Sequence, residues 1–492
     1  MDAKTLFGFA IATGLGSLVA IYPFAVLGGL AVCLTLYGIS RWLRGRLEFW
    51  QALVLFAMTA YVILNYGFDN LAVGGGGFQF PVGELGMFLA LALAVFQRRQ
   101  VLFREALHDP PVVCLLALLL LSCIHLVIDV PRYGAYALRD SSMFFDATFL
   151  ILGVMWARSP RDTQLLMRWL FYVFVLNLLY SYTFPWGEQV QARSPASGVF
   201  HSVPLFGNYQ LSALFLLLGT LYCLWVAPSV VRWPRWALMV LAVAQLGGLA
   251  ILQVRTMYVG ITFIILILLL LRETKKLTRF ASALGLAITG LVVMVSAGSL
   301  LGIKLQGRMG PVDVSFIQRQ ASSLLELTDP NTRFSHDVDR SEWYGEVWNS
   351  VRSSPLNLTV GGGFGQTLIN FQNDEGIAVR QPHNSSLSVL ARLGFVGLSI
   401  WLLFIVLVVV RYIRFLGISF PSVGISALIL WLFLHLVVAL LETSVQPTLE
   451  FSHGAIPFFF LQGLAIGIMR NNYAASDFQL FSLWTSRATA QS

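Results

Sequence analysis

The sequence predicts an all-α polytopic membrane protein of about fourteen transmembrane helices (twelve to fourteen), with one large loop on the outer side. Three observations carry that expectation. Of 492 residues, 57% are hydrophobic and only 11% charged, against about 25% charged in an ordinary soluble domain. Mean hydropathy is +0.75. Apolar runs recur from Leu6 almost to Met469, and no water-soluble core could hide so many stretches of about 20 apolar residues.

Taken in order, spans are expected near 5–20, 22–39, 48–66, 83–97, 110–129, 142–157 and 164–184. Others follow near 208–226, 236–253, 257–271, 280–303, 386–410, 422–440 and 455–469. Residues 5–39 are long for one helix and short for two, with Pro23 near the proposed turn. The start, Met-Asp-Ala-Lys, leads into this stretch without an Ala-x-Ala cleavage site, so it reads as a retained anchor. Arginines and lysines mark every second connection: Arg41, Arg44 and Arg46; Arg98, Arg99 and Arg104; Arg158 and Arg161; Arg232 and Arg235; Arg272 to Arg279; Arg411 and Arg414. By the positive-inside trend those loops are cytoplasmic and the others face outward.

The expected organisation is N-terminal transmembrane hairpins over 1–129, then a central transmembrane region with outward arginines over 130–303. A large periplasmic loop over 304–385, C-terminal transmembrane helices over 386–470 and a cytoplasmic tail over 471–492 complete it. The loop carries seven basic and nine acidic residues, a net charge of −2, and predicts helices around 315–327 and 340–353. It is too patterned for a linker and too small for a separate enzyme, which suits a lid packed on the membrane domain. The +8 net charge and pI of 9.4 follow from the cytoplasmic loops. No basic tract with interleaved aromatics points to nucleic acid. Cys33, Cys114, Cys123 and Cys223 lie inside apolar runs without ligand spacing, so they read as core residues. No internal repeat of the transporter kind is visible.

Outward arginines run against the charge trend, which makes them candidates. Arg139, Arg193 and above all Arg255, nearly alone in Gln-Val-Arg-Thr, suit a phosphate or diphosphate through forked hydrogen bonds. The competing reading is snorkelling to headgroups, or pairing of Arg139 with Asp140. In Gln381-Pro-His-Asn-Ser-Ser-Leu387, His383 falls at or just before a helix N-terminus that Asn384 caps. Free amides there favour an anion, and a neutral imidazole could accept a hydroxyl proton; a capping junction alone is the alternative. On a continuous helix His383, Gly394 and Gly397 would share one face, the glycines admitting another helix or a lipid tail. Gly361 to Gly365 reads as a flexible turn rather than a phosphate loop, because no P-loop lysine follows. Asp337-Val-Asp339 beside His336 is a weak metal candidate, so no metal and no cofactor are expected. Gly74 to Gly77 reads as a turn. Asp146, Arg392, His435 and Glu442 fall within spans, where charge is costly. Arg392 lies off the His383 face and is expected to pair with another helix.

His383-Asn384, nine residues, Gly394, two residues, Gly397 resembles the His-Asn-x9-Gly-x-x-Gly pattern of the O-antigen ligase superfamily, which includes O-antigen and exopolysaccharide polymerases. Arg340 to Trp348, Ser354-Pro355 and Gly361 to Gly365 resemble that family's loop signature. Arg255 resembles its arginine at a short outer connection, and Phe206-Gly-Asn208 its Asn-rich helix entry. The likeness covers roughly residues 130–470, and fourteen spans exceed the ligases' usual twelve. The resemblance implies a GT-C-like fold and a metal-independent, inverting glycosyltransferase in the bacterial inner membrane. It would move a glycan from undecaprenyl diphosphate to an acceptor sugar hydroxyl, such as lipid A–core, on the periplasmic face. It also implies His383 as proton acceptor, Arg255 with Arg139 or Arg340 on the departing diphosphate, and Asn384, Arg193, Gly394, Gly397 and Glu442 as substrate-side residues. A polymerase using the same donor is the main alternative; a protein O-oligosaccharyltransferase or a lipid-glycan transporter ranks below it.

Overall fold

The computed structural model describes residues 47–75, 78–97, 108–198, 202–209, 211–300, 306–308, 310–312, 340–372, 378–417 and 423–471. The expected spans near 5–20 and 22–39, the expected helix at 315–327, Asp337-Val-Asp339 and the tail from 472 onward lie outside the described residues. Apolar segments fold as helices because only a helix satisfies its backbone internally when no water is present. In chain order the helices are α1 (Phe49–Leu64), α2 (Tyr66–Asp69), α3 (Val82–Gln97), α4 (Pro110–Tyr133), α5 (Ala135–Asp140), α6 (Ser142–Trp156) and α7 (Pro160–Ser181). Next come α8 (Gly187–Ala192), α9 (Ser212–Ser229), α10 (Arg235–Leu252), α11 (Arg255–Leu270) and α12 (Thr274–Leu300). The last five are α13 (Arg340–Val351), α14 (Pro355–Val360), α15 (Ser385–Leu416), α16 (Val423–Thr443) and α17 (Ser452–Asn471).

Eight of these (α4, α7, α9, α10, α12, α15, α16 and α17) are long and apolar enough to cross a membrane; α1, α3, α6 and α11 are shorter apolar helices. The chain is thus an all-α protein of the polytopic membrane type. Among the described residues, the strands are short antiparallel hairpins between helices: 72–75 with 78–81, 196–197 with 203–204, 306–307 with 310–311 and 371–372 with 378–379. Gly74 and Gly75, expected in a turn, end the first strand, and residues 76–77 lie outside the described residues.

Burial grades from centre to rim. Every residue in the apolar window of α17 is buried, against 11% of that of α12. Helix α17 packs on α6 almost backbone to backbone, since a Cβ on Gly463 would meet the Leu150 carbonyl and one on Gly153 the Phe460 carbonyl. Small residues at helix crossings of this kind are the usual means of close approach in membranes. The outward faces are apolar, with Leu120, Val127, Leu179, Trp236, Val293 and Ile413 exposed, as hydrocarbon solvation requires.

Polar contacts gather at the two ends of the helices. At one end Gln51 meets Asp162, Arg411 pairs with Asp109 at 2.8 Å and Asn471 donates to the Ala157 carbonyl. At the other, Asn65 reaches Asn208, Ser142 reaches Glu450, and His125 reaches the Val360 carbonyl at 2.8 Å. The described residues between α12 and α15 belong to this second end. Trp343, Val347 and Val351 of α13, with Ile369, pack on Leu390 and Ala391 of α15.

Candidate functional site

His383 stands just outside α15. Asn384 caps that helix, its side-chain oxygen accepting from Leu387 N at 3.0 Å, and so its amide serves the helix end. His383 itself has φ of 54°, a left-handed conformation that a non-glycine residue adopts at a cost of about 1–3 kcal/mol and that collects at functional sites. Its ring meets Trp343 edge-on at 5.3 Å between centroids. Burial, and then the charge of Arg340, push the imidazole down to about 4, so it is neutral at pH 7.

Arg340, at the start of α13, faces His383 and also Glu442 near the end of α16. Glu442 takes a hydrogen bond from the Thr256 side chain and feels the charge of Arg308. Its Oε2 is buried with no hydrogen-bond partner among the described residues. Arg255 directly precedes Thr256 as the first residue of α11. Segments far apart in sequence therefore bring His383, Arg340, Arg308, Glu442 and the Arg255–Thr256 turn to one place. Arg308, counted above only in the loop's charge, is a residue that the sequence did not single out. Its amide donates to the Ile251 carbonyl at 3.1 Å, which ties the 306–311 hairpin to the end of α10. An arginine in Gly307-Arg-Met-Gly310, directly after a span, was the available signal.

Gly394 and Gly397 do not lie on one face with His383. The helix is broken at Gly394 (φ 63°, ψ −165°), so a uniform 100° per residue does not carry across it. A Cβ on Gly394 would meet the Thr359 carbonyl carbon at 2.4 Å and one on Gly361 the Arg392 carbonyl. The end of α14 thus occupies the notch that the sequence left open to another helix or a lipid tail. At Gly397 the nearest atoms belong to Leu393 of the same helix.

The Gly361 to Gly365 segment is a pinned turn rather than a flexible one. Gly362 N and Gly363 N donate to the Ala391 and Arg392 carbonyls, Phe364 N to Asp129 Oδ2 at 2.7 Å, and Gly365 N to Asp140 Oδ2 at 3.2 Å. Asp140 also holds Arg380 at 2.9 Å and Arg392 at 2.8 Å, with the side chains of Asp140 and Arg392 1% and 3% exposed. Arg392 accordingly pairs with another helix, α5. The two arginines complete the turn by donating to the Gly365 and Gly363 carbonyls. His383 is bracketed by them.

The acid beside Arg139 is therefore engaged elsewhere. Arg139 instead lies 5.9 Å from the Phe451 ring centroid and acts electrostatically on Glu450. Glu450, which the sequence did not single out, accepts from Ser388 Oγ at 2.8 Å. Burial raises its carboxyl to about 8, with Ser388 and Arg392 opposing the rise. Arg193 is exposed at the end of α8 and makes no hydrogen bond or ion pair with the described residues around His383. His435 meets Gln462 at 3.0 Å inside the bundle, away from this group. Among the described residues, no group of three or more His, Cys, Asp or Glu is arranged to hold a metal ion.

Residues 237–402 match the family model described as O-antigen ligase. The matched stretch runs from α10 to the middle of α15 and contains Arg255, Arg308, Arg340, His383, Gly394 and Gly397. Over this stretch, about a third of its length, the chain is similar to the O-antigen ligase family. No curated protein matches the chain.

Proposed function

We propose that the protein transfers a glycan from undecaprenyl diphosphate to an acceptor sugar hydroxyl, with lipid A–core as acceptor, on the periplasmic face of the bacterial inner membrane. The observation that carries this is the neutral, backbone-strained His383 held against Arg340, in a group that also includes Arg308, Glu442 and the Arg255 turn. The basic loops at the opposite ends of the helices supply the orientation. The O-antigen ligase match supplies the reaction class.

The diphosphate is already a good leaving group, so the enzyme's task is to absorb its negative charge and remove one proton. Arg340 and Arg308, with Arg255 beside them, form the cationic side, and preorganised charges of this kind stabilise a departing anion most when water is excluded. The acceptor oxygen attacks the anomeric carbon from the face opposite the diphosphate, the bond from carbon to diphosphate oxygen breaks, and the configuration inverts. The hydroxyl proton passes to the unprotonated nitrogen of His383. No metal ion is required for these steps. An imidazole near 4 is a weak base in the empty enzyme. A bound diphosphate beside Arg340 offsets the positive potential that depresses it, so the donor itself raises the basicity of His383. Base strength is then coupled to donor occupancy. Glu442, with an unpartnered oxygen facing the same group, orients the acceptor hydroxyl or the imidazole.

A deletion strain complemented with wild type or with His383→Ala tests this, with lipid A–core, high-molecular-weight polymer and lipid-linked precursor profiled together. Loss of capped lipid A–core while full-length polymer stays on the carrier identifies a ligase. Accumulation of single repeat units with loss of long polymer identifies a polymerase instead. Unchanged glycan output from His383→Ala would sink the catalytic role of His383 and reopen transport.

A further inference from the structure

A second polar chamber lies at the same end of the helices as His383, with carboxyls rather than guanidinia at its centre. Asp69 of α2, Glu84 of α3 and Asp146 of α6 all act electrostatically on the Tyr61 hydroxyl. Tyr61 and Asp146 are 0% and 1% exposed; the Tyr61 hydroxyl has no hydrogen-bond partner among the described residues, and Asp146 has only the neighbouring Ser452 hydroxyl to serve it there. Glu84 accepts from Ser452 Oγ at 2.5 Å, and Asp69 faces His453 Nδ1 at 3.4 Å. Three rings close one side. Phe451 stacks on His453 at 5.5 Å, and Tyr66 meets both edge-on at 5.6 and 5.9 Å. Tyr66 and Phe451 at its edge are half-buried, while the Asp69 side chain is only 10% exposed.

Buried polar atoms without partners are costly, and a bound ligand is one way to complete them. Carboxylates accept hydrogen bonds from hydroxyls, and aromatic faces take the apolar C–H face of a sugar ring. The chamber adjoins the catalytic helix, because Ser388 of α15 bonds Glu450, which directly precedes Phe451.

The geometry points to the Asp69–Glu84–Asp146 chamber, walled by Tyr66, Phe451 and His453, as a binding subsite for an uncharged sugar ring of the acceptor glycan. The two flanks of the α15 N-terminus then divide the substrates: the side of Arg340 and Arg308 takes the diphosphate, and the carboxyls and rings, with Arg139 beside Phe451, take the acceptor. The assignment rests on the transferase reading, and the test separates the two. Full-length protein in nanodiscs is titrated with the methyl glycosides of glucose, galactose, mannose and N-acetylglucosamine, and separately with inorganic pyrophosphate. At least one glycoside binds, and Glu84→Gln and Asp69→Asn each raise its dissociation constant about fivefold or more, while pyrophosphate binding stays unchanged. Failure of all four glycosides, or binding indifferent to both substitutions, overturns the subsite. A wild type that takes no pyrophosphate counts against the diphosphate donor and leaves the glycoside result to decide the subsite. Should either variant fail to fold, carbodiimide modification of Glu84 in the wild type decides. A bound glycoside slows it, and an unprotected Glu84 overturns the assignment.

Discussion

At the end of the helices that carries His383, two groups of arginines meet carboxylates, and they are built to different purposes. Around Asp140 the charges are saturated: one carboxylate takes Arg380 and Arg392, and both guanidinia also donate to carbonyls of the glycine turn. Around Glu442 the fit is incomplete, with one carboxylate oxygen buried and unpartnered while Arg308 and Arg340 act on the same group. A closed network rigidifies, whereas an open one awaits a ligand. Arginines identical in composition thus separate into scaffold and site only through the company they keep.

Substitutions can break that comparison. The largest effect is expected at the open group: His383→Ala lowers the transfer rate about 10²–10⁴-fold with little change in unfolding temperature, measured with a lipid-linked donor and detergent-purified protein. At the closed group the pattern reverses. Asp140→Ala strands two buried arginines and costs about 3–5 kcal/mol of stability, read from thermal unfolding. Gly394→Ala follows at about 1–3 kcal/mol or more, since alanine resists the local φ and ψ and its Cβ has no room beside Thr359. The smallest effect is in pH dependence. Unfolded imidazole binds a proton near 6.5 but His383 in the fold only near 4, so between those values the unfolded state holds more protons and stability rises with pH. His383→Asn removes that slope. Arg340→Gln moves the acid limb of activity upward, because the arginine helps to hold the imidazole down; an unmoved limb would detach Arg340 from His383.

The helical bundle was legible because hydropathy alone identifies segments that must satisfy their backbones internally, and the apolar helices from Phe49 onward fall on the expected spans. His383 was legible through its neighbours, since an Asn-Ser-Ser cap announces where a helix begins. Gly394 was misread for a physical reason. Periodicity presumes an unbroken helix, and the break depends on the α14 backbone arriving from a different part of the chain. The partner of Asp140 was equally hidden: sequence offered the adjacent Arg139, while the fold delivers Arg380 and Arg392 from about 240 and 252 positions away. Arg308 gave only the weak signal of a glycine-flanked turn.

The break in α15 also bears on how the chain is made. As one rod its 32 residues would span about 48 Å, well beyond the hydrocarbon thickness of about 30 Å. Divided at Gly394, the part from Phe395 to Leu416 extends about 33 Å, and it contains no charge until Arg411. During biosynthesis the translocon therefore has to release only this lower piece into lipid. Arg392 travels with the upper piece, joins Asp140 when the loop docks, and never has to enter the bilayer as a bare cation.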